Sequence, residues 1–231
     1  MMQRLLSLFL ALVPLFALGA APAPQPNWLT TVVATPEGGY RQGNPNAPIK
    51  LIEYGSRGCP TCYAFATDGM KPLRDQYIAT GKVSYEYRDF LVHGAPDLAL
   101  ALLNQCVGTA RFFPVLDAIY ANQPKFEERL IALSKQEATL KAWEKLPPAQ
   151  IATKFADALG MVTFLKTQGL PEARARQCLA DPKAIARIAK TYADGAKLHG
   201  VNGTPTFFVN GRRVSAITWP YLESELRAAG A

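Results

Sequence analysis

The stretch GSRGCPTCYAF, residues 55–65, decides how this chain is expected to fold. It places Cys59 and Cys62 one helical turn apart, and it directly follows an apolar strand, Ile49–Tyr54. The helix predicted from Cys59 onward is kinked at Pro72, because proline has no backbone N–H to donate. The rest of the sequence can be interpreted around this pair of thiols.

A second strand follows the helix. The helix is expected to run to Thr80 and to end at Gly81 as a left-handed cap, and Lys82–Phe90 alternates apolar with polar residues as a half-buried strand. Strand, helix and strand in this order predict a parallel pair joined by a right-handed crossover.

A long helical block then interrupts the α/β pattern. Every periodic segment from about Ala95 to His199 is helical, and strand residues return only at Thr206–Val209, before a tight hairpin and a last helix. The fold class predicted is α/β with an inserted all-α helical domain. The expected boundaries are an N-terminal lead at 22–48, a first α/β part at 49–92, the helical insertion at 93–199 and a second α/β part at 200–231.

Residues 1–21 have the pattern of a cleaved signal peptide. An apolar run, Leu5–Leu18, follows the positive Arg4, and the small residues Gly19–Ala21 suit a signal peptidase. The run is shorter than the roughly 20 apolar residues that span a membrane, which favours cleavage over anchoring. We therefore expect an exported, periplasmic protein in a compartment where disulfides persist.

Composition indicates an ordinary folded protein, since 49% of its residues are hydrophobic. The net charge is +7, or +6 once Arg4 is removed (7 − 1), and it is spread along the chain. This distribution predicts a solvated basic surface and no nucleic-acid partner, with acidic partners or anionic lipid as the weaker alternative.

The two close cysteines suit thiol–disulfide exchange. A thiol reacts as its thiolate, and the backbone N–H groups and dipole of a helix N-terminus would stabilise that charge on Cys59. Cys62, one turn deeper, would be the resolving thiol, and Pro60 fits the first helical turn. Thr61 can offer a hydroxyl but no positive charge, so the residues between the cysteines predict a mildly oxidising couple.

Two other interpretations of the dithiol are a structural disulfide and half of a zinc site. Zinc would need a second close pair of Cys or His ligands, whereas Cys106 and Cys178 stand alone and His93 and His199 have no partner at metal-ligand spacing. Redox exchange is favoured, with no metal and no cofactor beyond the Cys59–Cys62 disulfide itself.

A proline opens the later strand, in the stretch VNGTPTFFV, residues 201–209. The Thr204–Pro205 bond is either an ordinary trans bond at a loop end or a cis bond, which is uncommon and usually kept for a purpose. A cis bond would present the Thr204 backbone to an extended substrate chain beside the dithiol.

These features together resemble the DsbA-like thiol:disulfide oxidoreductases, which have the thioredoxin fold. The residues that carry the resemblance are the Cys-Pro-x-Cys-Tyr helix after a strand, its kinking proline, the long helical insertion and the stretch GTPTFFVNG, residues 203–211. The resemblance extends from about Pro45 to the last helix. It implies a thioredoxin fold with the helical domain inserted.

The resemblance also implies roles for individual residues. Cys59 would be the nucleophile, Cys62 the resolving cysteine and Pro205 the cis-proline, with Thr204 touching substrate. Glu53, which the strand pattern alone favours as a solvent-facing residue, matches the acidic residue beneath the dithiol that relays protons in this family. Cys106 and Cys178 would form a second, structural disulfide, worth roughly 4 kcal/mol for a loop of about 70 residues; two separate buried thiols are the alternative.

Two departures from the family pattern bear on the direction of exchange. The strongest oxidants of the family have His where this chain has Thr61, so their potency does not carry over. Thr204 before the proline is similar to the disulfide isomerases, but the roughly 20 residues before the catalytic domain are too few for their dimerisation domain. We therefore expect a monomer.

The leading hypothesis is a periplasmic dithiol oxidase. Its disulfide would accept electrons from unfolded or reduced exported proteins and would be reoxidised by a quinone-linked, DsbB-like membrane protein. A reductase or isomerase of the same fold is one alternative, and a non-catalytic, chaperone-like binder of unfolded chains is the other.

Overall fold

A mixed six-stranded sheet forms the centre of the protein in the computed structural model, which describes residues 26–231. The predicted signal peptide lies outside the described residues. The strand order is β1-β2-β4-β3-β5-β6, and only β3 and β4 pair in parallel. The strands are β1 (Val32–Ala34), β2 (Tyr40–Gln42), β3 (Ile49–Gly55), β4 (Val83–Asp89), β5 (Thr206–Val209) and β6 (Arg212–Val214).

Helices connect the two parallel strands and fill the long interval between β4 and β5. This arrangement confirms the predicted fold class, an α/β sheet interrupted by helices. The helices are α1 (Pro60–Asp68), α2 (Met70–Leu73), α3 (Ala95–Cys106), α4 (Thr109–Ala121), α5 (Gln123–Ser134), α6 (Glu137–Trp143), α7 (Pro148–Ala158), α8 (Met161–Thr167), α9 (Glu172–Leu179), α10 (Pro182–His199) and α11 (Trp219–Ala228).

The helix after the dithiol is broken rather than simply kinked. α1 stops at Asp68, α2 follows after Gly69, and the chain continues as a π-helical turn, Arg74–Ile78. The missing N–H of Pro72 removes one bond of the helical ladder, and the turn beyond it bonds with wider spacing, as from Ala79 N–H to the Arg74 carbonyl at 2.8 Å. The prediction of one continuous kinked helix is therefore wrong in detail.

Strand β4 is buried on both faces, whereas its alternating sequence predicts a half-buried strand. Its charged side chains are covered and hydrogen-bonded, whereas the buried Ser84 hydroxyl has no hydrogen-bond partner among the residues that the structure describes. Glu86 accepts a hydrogen bond from the Thr35 hydroxyl at 2.8 Å and another from Arg88 Nε at 2.7 Å, and Arg88 also donates to the Tyr54 hydroxyl at 3.1 Å. The alternation of apolar and polar residues along β4 therefore does not identify a solvent-exposed face of this strand.

The segment predicted as a lead with turns contains two short strands, β1 and β2. The second pairs antiparallel with β4, so that Tyr40 lies opposite Tyr87 and Gln42 opposite Tyr85. Three-residue strands are too short to show a period, and their position depends on pairing with a strand that is distant in sequence. They extend the sheet by two strands beyond the prediction.

Two large apolar cores stabilise the protein, one between the sheet and α1, α4 and α11, and the other inside the helical block. The end of α3 is joined to α9 by a disulfide between Cys106 and Cys178, whose Cα atoms lie 6.0 Å apart. This bridge closes much of the helical block on itself. Within residues 26–231, no helix is long and apolar enough to cross a membrane.

Candidate active site

The dithiol lies where strand β3 passes into helix α1. Cys59 is the N-cap residue, Pro60 occupies the first helical turn, and the Tyr63 N–H donates to the Cys59 carbonyl at 3.0 Å. The backbone N–H groups of Thr61 and Cys62 therefore face the Cys59 sulfur with no partner inside the helix. This is the position in a helix that best stabilises an anion.

The pKa of Cys59 is lowered from 9.0 to about 5. The largest cause is a hydrogen bond from the Cys62 thiol, which outweighs the opposing effect of burial, and Thr204 and the two backbone N–H groups lower the pKa further. At neutral pH the Cys59 sulfur is consequently a thiolate when the pair is reduced. The structure contains this pair as two free, buried cysteines.

Cys62 has the opposite character. It is fully buried, and burial is the first cause that raises its pKa well above 9.0, followed by the hydrogen bond that it donates to Cys59. A nearby Glu53 charge raises the pKa again. The two thiols therefore differ in protonation at neutral pH, one charged near the surface and one neutral beneath it.

The Thr204–Pro205 loop lies directly against the reactive sulfur. The peptide bond between these residues is cis, and the Cys59 thiol lies 3.2 Å from the Thr204 carbonyl oxygen. The Thr204 hydroxyl is buried and has no hydrogen-bond partner among the described residues, although it is close enough to stabilise negative charge on Cys59. A thiolate or an incoming chain can supply the missing partner.

Glu53 is buried in the middle of β3, so the solvent-facing position favoured by the strand pattern alone is wrong. The Tyr85 hydroxyl donates to its Oε2 atom at 2.6 Å. Burial raises the pKa of Glu53 from 4.5 to about 8, the hydrogen bond from Tyr85 opposes this, and negative charge on Cys59 adds to it. The carboxyl group therefore carries a proton at neutral pH and lies within electrostatic reach of both thiols.

A buried arginine that no sequence motif indicates supports the loop before Cys59. Arg57 forms an ion pair with Asp89, at the end of β4, and donates two hydrogen bonds to the side-chain oxygen of Asn104 at 2.8 and 3.0 Å. Gln123, from α5, donates to the backbone carbonyls of Arg57 and Cys59 at 2.8 and 3.1 Å. The helical block thus fixes the backbone that presents the thiol.

Asp97, from α3, makes a second connection to this loop. Its carboxylate accepts hydrogen bonds from the Ser56 hydroxyl at 2.8 Å, the Gly58 N–H at 3.0 Å and the His93 N–H at 2.8 Å. In sequence only the spacing of His93 and Asp97 before a helix could have indicated a pair, and their contact with Gly58 depends on the fold. The described part of the chain contains no group of three His, Cys, Asp or Glu side chains that could hold a metal ion.

Comparison with known proteins agrees with this geometry. A solved structure of a protein-disulfide isomerase from Novosphingobium aromaticivorans is 25% identical in sequence, with a TM-score of 0.78, and the match covers 84% of this chain and 98% of that one. The α-DsbA1 protein of Wolbachia pipientis has the same fold at 20% identity and a TM-score of 0.63, over 82% of this chain and 89% of that one.

Among curated proteins, a Rickettsia prowazekii protein provisionally named a protein-disulfide oxidoreductase is 28% identical over 169 residues. The match covers 73% of this chain and 53% of the relative, so the chain spans about half the length of the curated relative. A family model described as Thioredoxin matches residues 35–227, which is most of the chain. The chain therefore belongs to the thioredoxin family, and its fold is that of the DsbA-like proteins.

Proposed function

We propose that this protein is a thiol:disulfide oxidoreductase that introduces disulfides into unfolded or reduced exported proteins. The observation that carries the proposal is the opposed state of the two thiols, since Cys59 has a pKa of about 5 at the helix N-terminus and Cys62 has a raised pKa beneath it. Because Cys62 is fully buried, Cys59 is the sulfur that a substrate thiolate can reach, and its low pKa makes it the better leaving group from a mixed disulfide. The name of the Rickettsia relative supports the same chemistry.

The first half-reaction would start from the oxidised Cys59–Cys62 disulfide. A substrate thiolate attacks the Cys59 sulfur, the bond between Cys59 and Cys62 breaks, and the electron pair of that bond remains on Cys62. Glu53, protonated at neutral pH, is the proton donor that neutralises the departing Cys62 thiolate. The product is a mixed disulfide between substrate and Cys59.

The second half-reaction would release the product. A second substrate thiolate attacks the substrate sulfur of the mixed disulfide, and Cys59 leaves as the thiolate that its site stabilises. The substrate has then lost two electrons and the protein pair has gained them. The Thr204 carbonyl and hydroxyl, next to the Cys59 sulfur, would pair with the backbone of the substrate chain during both steps.

The protein would act as a periplasmic monomer, without an added cofactor, and a quinone-linked, DsbB-like membrane protein would reoxidise the pair. The predicted signal peptide supports export, and a cysteine pair that exchanges electrons by itself needs no bound cofactor.

A reductase or isomerase is the second candidate. It is supported by the isomerase name of the Novosphingobium structure and by the threonine, Thr204, that precedes the cis-proline. In cells, an oxidase would hold Cys59 and Cys62 mainly as a disulfide, whereas a reductase or isomerase would hold them mainly as thiols. Alkylation of free thiols before cell lysis separates these states.

The Cys59→Ala variant tests the enzymatic proposal. Oxidation of a reduced two-cysteine peptide by stoichiometric oxidised protein is expected to be lost in the variant, because no disulfide can then form with Cys62. The matched control is Cys106→Ser/Cys178→Ser, which removes the other cysteine pair and is expected to keep the activity. Peptide oxidation that is no faster with wild type than with Cys59→Ala would refute the enzyme and leave the chaperone-like binder as the alternative.

A further inference from the structure

The sequence between the two cysteines supplies no positive charge, yet a histidine from another part of the chain lies beside it. A side chain at Gly58, the residue before Cys59, would place its first carbon 3.0 Å from Nδ1 of His93 and 2.8 Å from Oδ1 of Asp97. Pro60, the residue after Cys59, lines the same cavity of about 170 Å³ as Gly58 and His93. The imidazole ring is therefore placed over the backbone that carries the reactive thiol.

Asp97 holds this ring in place from the first turn of α3. Its Oδ2 atom lies 3.5 Å from Nδ1 of His93 and accepts the His93 backbone N–H at 2.8 Å, while Asp97 itself is only 2% exposed. The same carboxylate binds the Gly58 N–H. One buried acid thus fixes both the ring and the loop that it covers.

The charges around His93 favour its protonated form. They are Asp97 on α3, Glu127 on α5 and the Cys59 thiolate at the start of α1, all negative. The hydrogen bond to Asp97 is the largest cause that raises the pKa of His93 above 6.5, burial opposes it, and the charges of Asp97, Cys59 and Glu127 add to it. Arg57 also lines the cavity, but its charge is locally balanced by the ion pair with Asp89.

We propose that His93, held as an imidazolium by Asp97, is the positively charged positioning residue of this dithiol and stabilises the Cys59 thiolate across the Gly58 backbone. His93 would supply the positive charge near Cys59 that Thr61, between the two cysteines, cannot supply. This inference rests on the proposed exchange reaction and adds to it a specific electrostatic partner for the nucleophile.

The role of His93 would be electrostatic both when Cys59 leaves the mixed disulfide and when Cys59 returns to its bond with Cys62. When the second substrate thiolate attacks the mixed disulfide, the bond to the Cys59 sulfur breaks, the electron pair stays on Cys59, and the imidazolium stabilises the resulting charge without giving up its proton. When Cys59 is again bonded to Cys62, that negative charge is gone and the imidazolium loses one of its three anionic neighbours. The raised pKa of His93 means that its positive charge is fully present below pH 6.5 and is lost as the pH rises through its folded pKa.

The test is a pH titration of the Cys59 thiolate in the reduced protein, followed by ultraviolet absorbance, in wild type and in His93→Gln. The variant is expected to raise the Cys59 pKa by about half a unit to one unit, which lowers the thiolate-to-thiol ratio roughly three- to tenfold at a given pH. Since the His93 side chain is 41% exposed, the fold is expected to tolerate the change, and added salt is expected to reduce the difference.

Two further variants make the result specific. His199→Gln changes the other histidine of the chain, which packs near Tyr54 and Phe208, and it is expected to leave the titration unchanged. His93→Lys restores a positive charge and is expected to lower the Cys59 pKa most of the way back to the wild-type value. Because lysine stays charged, the variant also keeps above pH 6.5 the positive charge that His93 loses. A Cys59 pKa that does not move in His93→Gln would overturn the proposal.

The titration does not depend on the proposed function. If wild-type protein failed to oxidise a reduced peptide, the oxidoreductase proposal would be refuted, and the Cys59 titration would still decide whether His93 acts on the thiolate. If exchange occurs and His93→Gln also slows release of Cys59 from a mixed disulfide, by up to about tenfold, both inferences stand together.

Discussion

Glu53 shows how one buried side chain links the sheet to the chemistry of the dithiol. The tyrosine that bonds it, Tyr85, lies on the neighbouring strand β4, so the parallel pairing of β3 and β4 determines the contact. Because the pKa of Glu53 is about 8 in the folded protein, ionisation of this carboxyl group destabilises the fold. The contribution of protonated Glu53 to the free energy of unfolding is complete below its ordinary pKa of 4.5 and is lost as the pH rises through about 8.

Replacement of this residue, Glu53→Gln, is therefore expected to have two opposite effects. The oxidised variant should be more stable than oxidised wild type at pH 8 by a few kcal/mol, since each pKa unit corresponds to about 1.4 kcal/mol, and the two should be equally stable at pH 4. Exchange at neutral pH should be slower by about 10²- to 10⁴-fold, because the proton donor proposed for Cys62 is lost. Urea unfolding at both pH values and stopped-flow peptide oxidation measure these effects.

Oxidised protein is used in this comparison so that the charge of Cys59 does not affect the titration of Glu53. In the disulfide form Cys59 carries no charge, so the stability difference reports the burial of Glu53 and its bond to Tyr85. Equal stability of variant and wild type at pH 8 would contradict a raised pKa for Glu53. An unchanged exchange rate would remove it as proton donor.

The bridge between α3 and α9 and the contacts between α3 and the active-site loop are separate features of the helical block. The disulfide joins the far end of α3, at Cys106, to Cys178, whereas Asp97 contacts the loop from the first turn of the same helix. Removal of the bridge should consequently loosen the block without moving the groups that bind the loop.

The Cys106→Ser/Cys178→Ser variant is expected to lose roughly 2–4 kcal/mol of unfolding free energy, because the unfolded chain regains the freedom of a long loop. Its Cys59 pKa should stay near 5, as in the wild type. Urea unfolding and thiolate titration measure the two quantities. A large change in the Cys59 titration would mean that the bridge also maintains the site, and two free thiols in oxidised, denatured wild type would show that it does not form.

Much of this architecture follows from local signals in the sequence. The tight hairpin between β5 and β6 and the left-handed cap at Gly81 depend on a few neighbouring residues and occur as expected, with Gly81 at a φ of 76° and Asn210 and Gly211 also at positive φ. The contact of Tyr40 with Tyr87 and the burial of Glu86 could not be predicted, because the partner of each residue comes from a distant element. The same limit applies to Arg57, His93 and Asp97 in the candidate site.

For the whole molecule, the direction of exchange depends on which form of the protein the dithiol stabilises. The lowered pKa of Cys59 gives the reduced form stability that is fully present above its ordinary value of 9.0 and is lost as the pH falls through about 5. At neutral pH the reduced protein keeps much of this stabilisation, whereas the disulfide form has no thiolate to gain it. By thermodynamic linkage, a more stable reduced form makes the disulfide a better oxidant.

The central measurement is the reduction potential of the Cys59–Cys62 pair, obtained by equilibrating the purified protein with glutathione buffers at pH 7. Cys106→Ser/Cys178→Ser serves as the matched protein in which only this pair can respond. The proposed oxidase predicts a mildly oxidising potential, between about −230 and −180 mV. A potential near that of a cytoplasmic reductant, about −270 mV or lower, would contradict it.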